Sequence, residues 1–472
     1  MTFVQAKPQV GFLSLGLAAY WPQFPGMRDR LQGHGRQLAE TVSAYGTLVN
    51  EGIVDGIDGA RACAAAFRTA DVDVVFCHLA TYSTSEALVL AMRDLQVPVV
   101  LLNVQSVTAL SLTSITGIDD WLGAGCTCAG LPEMTAALIR LGKRFDVVTG
   151  HLEGDDILER KIEDWCLTAG IRRRLQTGVM GLLGRPYPGM TDLYLDETAF
   201  FAQFGAYTKH LQWDDVATAS RSVEPAHRIR RMEQIAAAFQ PPEHGGDKDF
   251  TAIANVLCGL DRLVDEHRLF AIPNHYEGAV STEHTDVLAM SNPALSMLMA
   301  EGVACPVEGD IKTALAMTMM KQVAGSATLA ELYSMDFNRD TCIIGHSGAA
   351  DLTISTTTPK LVSSKVFHGK SGGGYLTQLD VPVGRVTLLS LTQAGDGAFR
   401  LVVAEGDVVD APVLRLGDTN CHVRFSCGLR EFVNRWASFG PTHHGVLALG
   451  GQATRLELVA KQFGIPIEFV CR

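Results

Sequence analysis

The chain has 472 residues, 47% of them hydrophobic and 19% charged, and a formal net charge of −12 at pH 7. That length exceeds what one hydrophobic core usually supports, so two or three domains are expected. The acidic balance argues against nucleic-acid phosphates and anionic membranes as partners, because no basic patch overrides it. The short groups Arg172, Arg173, Arg174 and Arg228, Arg230, Arg231 read as solvated helix faces.

Residues 1–9 are polar, and the apolar stretch 10–19 has neither a basic flank nor a small-residue cleavage site. No apolar run reaches the roughly 20 residues a bilayer span requires, so the expectation is a cytoplasmic protein. Cys63, Cys77, Cys166, Cys258 and Cys342 lie in scattered apolar segments, which predicts reduced, buried thiols rather than a disulfide framework. Cys126 and Cys128 have no second pair placed to complete a zinc site.

In chain order, apolar runs at 10–14, 73–77, 98–102 and 145–149 predict buried strands. Helical spacing over 33–45, 83–94, 134–141 and 156–169 separates or follows them. Strands alternating with helices imply a parallel, doubly wound sheet, taken as an N-terminal α/β domain over 1–174. A second unit over 175–328 opens at Gly178, Gly181 and Gly184, whose spacing is not that of a dinucleotide-binding loop. It continues through helices at 228–239, 250–267, 293–301 and 311–323 and strands at 270–273 and 303–307. After about residue 329 the texture changes to short strands at 341–345, 385–392, 399–405, 412–416 and 446–449, punctuated by Gly, Asp and Ser. That pattern predicts a β-rich, barrel-like third domain over 329–472.

Four features of the second half suggest one site. Glu308-Gly309-Asp310 lies between a predicted strand and a helix, where acidic side chains at the carboxyl end of a strand face a crevice. An isolated triplet of this kind is also what a helix N-cap looks like. Glu331, with Tyr333 and Asp336 beyond it, lies near the junction with the β-rich region, and His346 follows in a turn. The pair His443-His444 leads into the strand 446–449, an arrangement expected to put one ring on each side. Two carboxylates and two imidazoles without a thiolate suit Mn²⁺ or a related divalent ion with positions left for a substrate diol.

The block Ala294-Leu295-Ser296-Met297-Leu298-Met299-Ala300-Glu301-Gly302, with Val307 through Ala314 behind it, resembles the segment that carries the first metal-binding glutamate of the L-arabinose and L-fucose isomerase-like families. Glu331-Leu332-Tyr333, Gly345-His346, His443-His444, residues 465–470, residues 146–151 and Gly184-Arg185 are similar to further family segments. The resemblance spans roughly residues 70–472. It implies two α/β domains before a β-rich one, a metal-dependent aldose–ketose isomerase working by C1/C2 proton transfer through a cis-enediol, and a homotrimer or homohexamer. It implies Glu308 and Glu331 as catalytic residues, Glu308, Glu331, His346 and His444 as ligands of Mn²⁺ or a related ion such as Co²⁺, and His443, Tyr333, Tyr20 and Cys126 as substrate-binding residues. In the fucose branch His346 would instead be a pocket residue. Cys126 and Ala129 stand where the arabinose isomerases carry a glutamine and a histidine, so a sugar other than L-arabinose is expected. A sugar-binding or regulatory protein with the isomerase fold but no turnover, or a metal-dependent hydrolase or lyase acting on a sugar derivative, are the alternatives.

Overall fold

The computed structural model describes residues 4–111, 113, 115–124, 126–242, 247–275, 287–364 and 374–472. They fall into two compact units, one spanning Gln5–Arg173 with Lys461–Gly464, the other Arg174–Ala460 with Ile465–Arg472 and Val4. Gly125, which opens the segment carrying Cys126, lies outside the described residues.

The first unit is a five-stranded sheet of β1 (Gln9–Leu15), β2 (Thr47–Val54), β3 (Val74–Leu79), β4 (Val99–Gln105) and β5 (Phe145–His151). Its order is β2-β1-β3-β4-β5, with every neighbouring pair parallel. β1, β3 and β4 are continuous apolar runs because helices cover both of their faces. Leu13, Leu15, Val75, Cys77, Val99 and Leu101 pack with Cys63 and Phe67 of the helix Ile57–Thr69 on one face. β2 and that helix carry no strong apolar signal: β2 is a half-exposed edge strand, and its pairing with β1 shifts register between Phe12 and Ser14.

In the second unit, three parallel strands, β6 (Val179–Leu183), β7 (Thr208–Leu211) and β8 (Leu269–Ala271), run in the order β7-β6-β8. The segment 303–307 joins them by a single bridge, Ala304 to Ala271, rather than as the expected strand. Pro306 within it has no N–H to extend a ladder, although its carbonyl accepts the Asn274 N–H at 2.9 Å. Beyond it lie β9 (Thr328–Asp336), β10 (Thr341–His346), the hairpin β11 (Lys360–Ser364) with β12 (Gly374–Gln378), β13 (Gly384–Gln393), β14 (Phe399–Val408), β15 (Thr419–Phe425), β16 (His444–Leu449) and β17 (Ile467–Cys471). Strands β13-β16-β9-β10-β15-β14 close on themselves through the β13–β14 pairing, giving the barrel-like sheet, and β17 adds parallel to β14. The run 412–416 is not a strand. It lies along β15 through the Asn420 amide, which accepts the Leu414 N–H at 2.8 Å and donates to the Leu414 carbonyl at 3.0 Å.

Two expectations about polar residues are corrected here. Arg172 and Arg173 are not solvated: both bind the fully buried Asp73 at 2.8 Å, since an interior carboxylate must be paired. Arg231 is likewise buried, held by Asp261 and Glu301. The cysteines are mostly free, as expected, but Cys427 and Cys471 form one disulfide that ties the turn after β15 to β17. Among the described residues no single helix is long and apolar enough to cross a membrane.

Candidate active site

Glu308 occupies a turn between the 304 bridge and the helix Ile311–Ala324. Two successive residues there adopt left-handed backbone, Glu308 at φ 64° and Gly309 at φ 71°. Glycine is required at 309, where a Cβ would stand 2.4 Å from the Arg185 carbonyl oxygen. Glu308 has a Cβ, and such a conformation costs roughly 1–3 kcal/mol. Main-chain bonds from Tyr187 to the Glu308 carbonyl, 2.9 Å, and from Gly309 to the Asn274 carbonyl, 3.0 Å, hold the turn in place. It aims the buried Glu308 carboxylate at the two adjacent histidines.

Asp310 is the N-cap of the helix, accepting from the Thr313 N–H at 3.0 Å and the Thr313 hydroxyl at 2.7 Å. The same carboxylate lies 3.0 Å from His444 Nδ1. One buried acid therefore caps a helix and orients an imidazole, leaving His444 Nε2 to face inward.

Glu331 is placed by the barrel. In β9 it pairs with Gly345 of β10 on one side and with His444 of β16 on the other. Side chains alternate along a strand, so Ala330 and Leu332 enter the hydrophobic core while Glu331 faces the opposite way. His346, the last residue of β10, donates from Nδ1 to the Ser347 carbonyl at 2.7 Å, and its Nε2 lies 3.8 Å from Glu331 Oε1.

His443 and His444 do not point to opposite sides. Both Nε2 atoms lie 3.4 Å from Glu308 Oε2, and the ring centroids are 4.1 Å apart. His443 precedes the first residue of β16, so the alternation of an extended strand does not yet govern it. Its ring and main-chain N–H are instead held by Asp192, at 2.7 Å and 3.0 Å. Glu308, Glu331, His346, His443 and His444 are thus brought together from four separate segments. Tyr333 lies two residues from Glu331, and its hydroxyl donates to Asp418 at 2.9 Å. Tyr20 and Cys126 belong to the other unit, where both join the apolar cluster of Met27, Leu31, Ala80 and Leu122. Asp336 is occupied elsewhere, closing a turn with Arg339 at 2.8 Å.

Electrostatics follow from burial and pairing. Burial pushes the Glu308 carboxyl up, but the His443 and His444 rings beside it outweigh this and hold it well below the usual carboxylate range. Burial, reinforced by the neighbouring His444 ring, drives His346 down to about 3 despite the opposing Glu308 carboxylate. For His444 burial acts downward too, yet the Asp310 and Glu308 carboxylates lift the ring to about 9.

The residues fit a divalent cation. Glu308 Oε2 and His444 Nε2 are buried with no hydrogen-bond partner, although they face one another. A buried polar pair left in this way calls for a third group, and a cation satisfies an anionic oxygen and an imidazole lone pair together. The ligand atoms of Glu308, His443 and His444 lie within 4.8 Å of one another, as do those of Glu331, His346 and His444.

Sequence reasoning missed Asp192 and Lys312. Lys312 is buried in the first turn of the helix, donating from Nζ to the Asp192 carbonyl at 2.8 Å. Asp192 follows a Gly- and Pro-rich stretch whose composition resembles any surface loop, and only the fold brings it to His443.

Residues 326–466 match the family model of the L-arabinose isomerase C-terminal domain. An L-arabinose isomerase from a Nocardioides species is 22% identical, with the alignment covering 100% of this chain and 95% of that protein. An L-arabinose isomerase from Yersinia enterocolitica is also 22% identical, over 73% of this chain and 71% of the relative. Another from a Shewanella species is 22% identical over 74% of this chain and 70% of its own length. The chain is thus similar to L-arabinose isomerases along its length, and its residues 326–466 to their C-terminal domain.

Proposed function

We propose that this protein is a metal-dependent aldose–ketose sugar isomerase. Its relatives are named as isomerases of a sugar, and this chain brings together acidic and imidazole groups that such a reaction can use. The observation that carries the metal-dependent reading is the facing, unpartnered pair Glu308 Oε2 and His444 Nε2, with Glu331 and His346 completing an oxygen–nitrogen donor set.

Glu308, Glu331, His346 and His444 would hold Mn²⁺ or a related ion such as Co²⁺. When bound, the ion supplies Lewis-acid polarisation of substrate oxygens, worth several kcal/mol. The rest of the chemistry belongs to the chain. One of the two glutamates takes the proton from C2 of the open-chain aldose, leaving a cis-enediol, and the proton is returned to C1. Meanwhile O2 gives up its hydroxyl proton and O1 gains one, so aldose and ketose differ by no atom. His443, Tyr333, Tyr20 and Cys126 are proposed as substrate-binding residues, and the assembly is proposed as a homotrimer or homohexamer. A small-molecule sugar in the cytoplasm, with no nucleic acid or membrane partner, completes the reading.

A panel of pentoses, hexoses, deoxy sugars and tetroses, assayed with Mn²⁺ in D₂O, tests the proposal. At least one aldose should give its ketose with solvent deuterium at C1 or C2. Full activity after exhaustive chelation would remove the metal from the mechanism, and fragments in place of a ketose would turn the reading toward a hydrolase or lyase.

A further inference from the structure

We propose that Asp192 is a positioning residue for this reaction, acting through His443; the inference rests on the isomerase reading above. Asp192 lies in the single turn Thr191–Leu193, 251 residues from His443 in sequence. Its Oδ2 accepts two hydrogen bonds from that one residue, from the main-chain N–H at 3.0 Å and from the ring Nδ1 at 2.7 Å. A two-point clamp of this kind fixes the backbone and the ring plane together. With Nδ1 committed to Asp192, Nε2 is the only ring nitrogen left to face the site, where it lies 3.4 Å from Glu308 and 3.5 Å from Glu331.

His443 needs such a clamp. It precedes β16, so no strand ladder restrains it, and its side chain is one-third exposed at 33%. The neighbouring His444 is buried within the sheet and has Asp310 behind it. The clamp is itself anchored, because Lys312 Nζ donates to the Asp192 carbonyl at 2.8 Å. One helix start therefore serves both histidines: Asp310 orients His444 directly, and Lys312, two residues on, fixes the turn that orients His443. The two imidazoles are assigned different work. His444 presents its unpartnered Nε2 to the ion, whereas His443 presents Nε2 to a sugar hydroxyl.

The test compares wild type, Asp192→Asn, Asp192→Ala, His443→Asn and the Asp192→Asn/His443→Asn double variant. Three quantities are read: kcat and KM on the best aldose, Mn²⁺ affinity by EPR titration, and calorimetric affinity for ribitol, a pentitol that cannot react. Asp192→Asn should raise KM and the ribitol Kd about tenfold, as expected when a charged hydrogen-bond partner becomes neutral. Mn²⁺ affinity should stay within about twofold of wild type, and adding Asp192→Asn to His443→Asn should cost nothing further. Wild-type KM and ribitol affinity in Asp192→Asn overturn the proposal, as do additive losses in the double variant. A parallel fall in Mn²⁺ affinity also overturns it, by making His443 a ligand. A wild type that converts no aldose yet binds ribitol overturns the isomerase reading alone, because the ribitol arm still judges Asp192. A wild type that does neither overturns both.

Discussion

Replacing Asp310 by asparagine separates the two tasks of that side chain. Asparagine caps a helix as well as aspartate does, so the bond to the Thr313 N–H should survive and the helix Ile311–Ala324 should lose little stability. The loss falls on His444, whose Nδ1 lies 3.0 Å from the carboxylate within a fully buried pair. Burial favours a neutral Asp310, yet the His444 bond and the Lys312 charge hold its carboxyl below the usual range, so the ring is paired with a full charge. A hydrogen bond to a charged partner contributes about 1.5–3 kcal/mol, against about 1 kcal/mol for a neutral one. The difference, roughly 0.5–2 kcal/mol, corresponds to a metal Kd weaker by about 2- to 30-fold. That overlaps the 10- to 100-fold range typical for groups that orient a metal ligand. Mn²⁺ titration by EPR reads the affinity, and calorimetric melting reads the stability. Asp310→Ala is the control, since it also removes the cap and should cost about 1 kcal/mol more stability. Unchanged Mn²⁺ affinity in both variants, in protein that melts normally, would refute the orienting role.

Glu308→Gln and Glu331→Gln should each lower turnover at least about a hundredfold, because general acid–base catalysis is worth about 10²–10⁴ in rate. Asp336→Asn should lose far less, its carboxylate being engaged with Arg339, and equal damage there would misplace the second carboxylate. L-Arabinose should be a poor substrate, since Cys126 and Ala129 cannot supply the hydrogen bonds of the glutamine and histidine they replace, each unpaired hydroxyl costing about 1–3 kcal/mol. Turnover of L-arabinose equal to the best sugar on the panel would refute that reasoning. In the N-terminal unit, burial lowers His78, bonded to Ser14 at 3.0 Å, to about 3. Its folded pKa lies below the unfolded value, so this contribution is fully present above about pH 6.5 and is lost as pH falls toward 3, by up to ~1.4 kcal/mol per pH unit. Urea unfolding at pH 7 and pH 5 should show a smaller decline for His78→Asn than for wild type; equal declines would exclude His78 as the acid-sensitive group.

What the amino-acid order determined by itself is the part governed by periodicity and burial. The apolar runs that became β1, β3 and β4 were legible because a strand covered on both faces must be apolar throughout. The strands β13 and β14 and the helix Ile311–Ala324 were legible for similar reasons, and the Glu308, Glu331, His346, His443 and His444 candidates stood out because their chemistry is scarce outside sites. The barrel's closure was not legible in detail. Thr328–Asp336 is rich in Leu, Ala, Glu and Met, residues that favour helices, and it is a strand because β10 and β16 pair with it on both sides. The apolar segment 412–416 met the alternation rule, yet a side chain of β15 rather than a backbone ladder took up its polar groups. The convergence of both histidine rings on Glu308, the left-handed turn that aims that carboxylate, and the arrival of Asp192 at His443 are tertiary outcomes. Each depends on contacts between residues far apart in the chain, which no local pattern encodes.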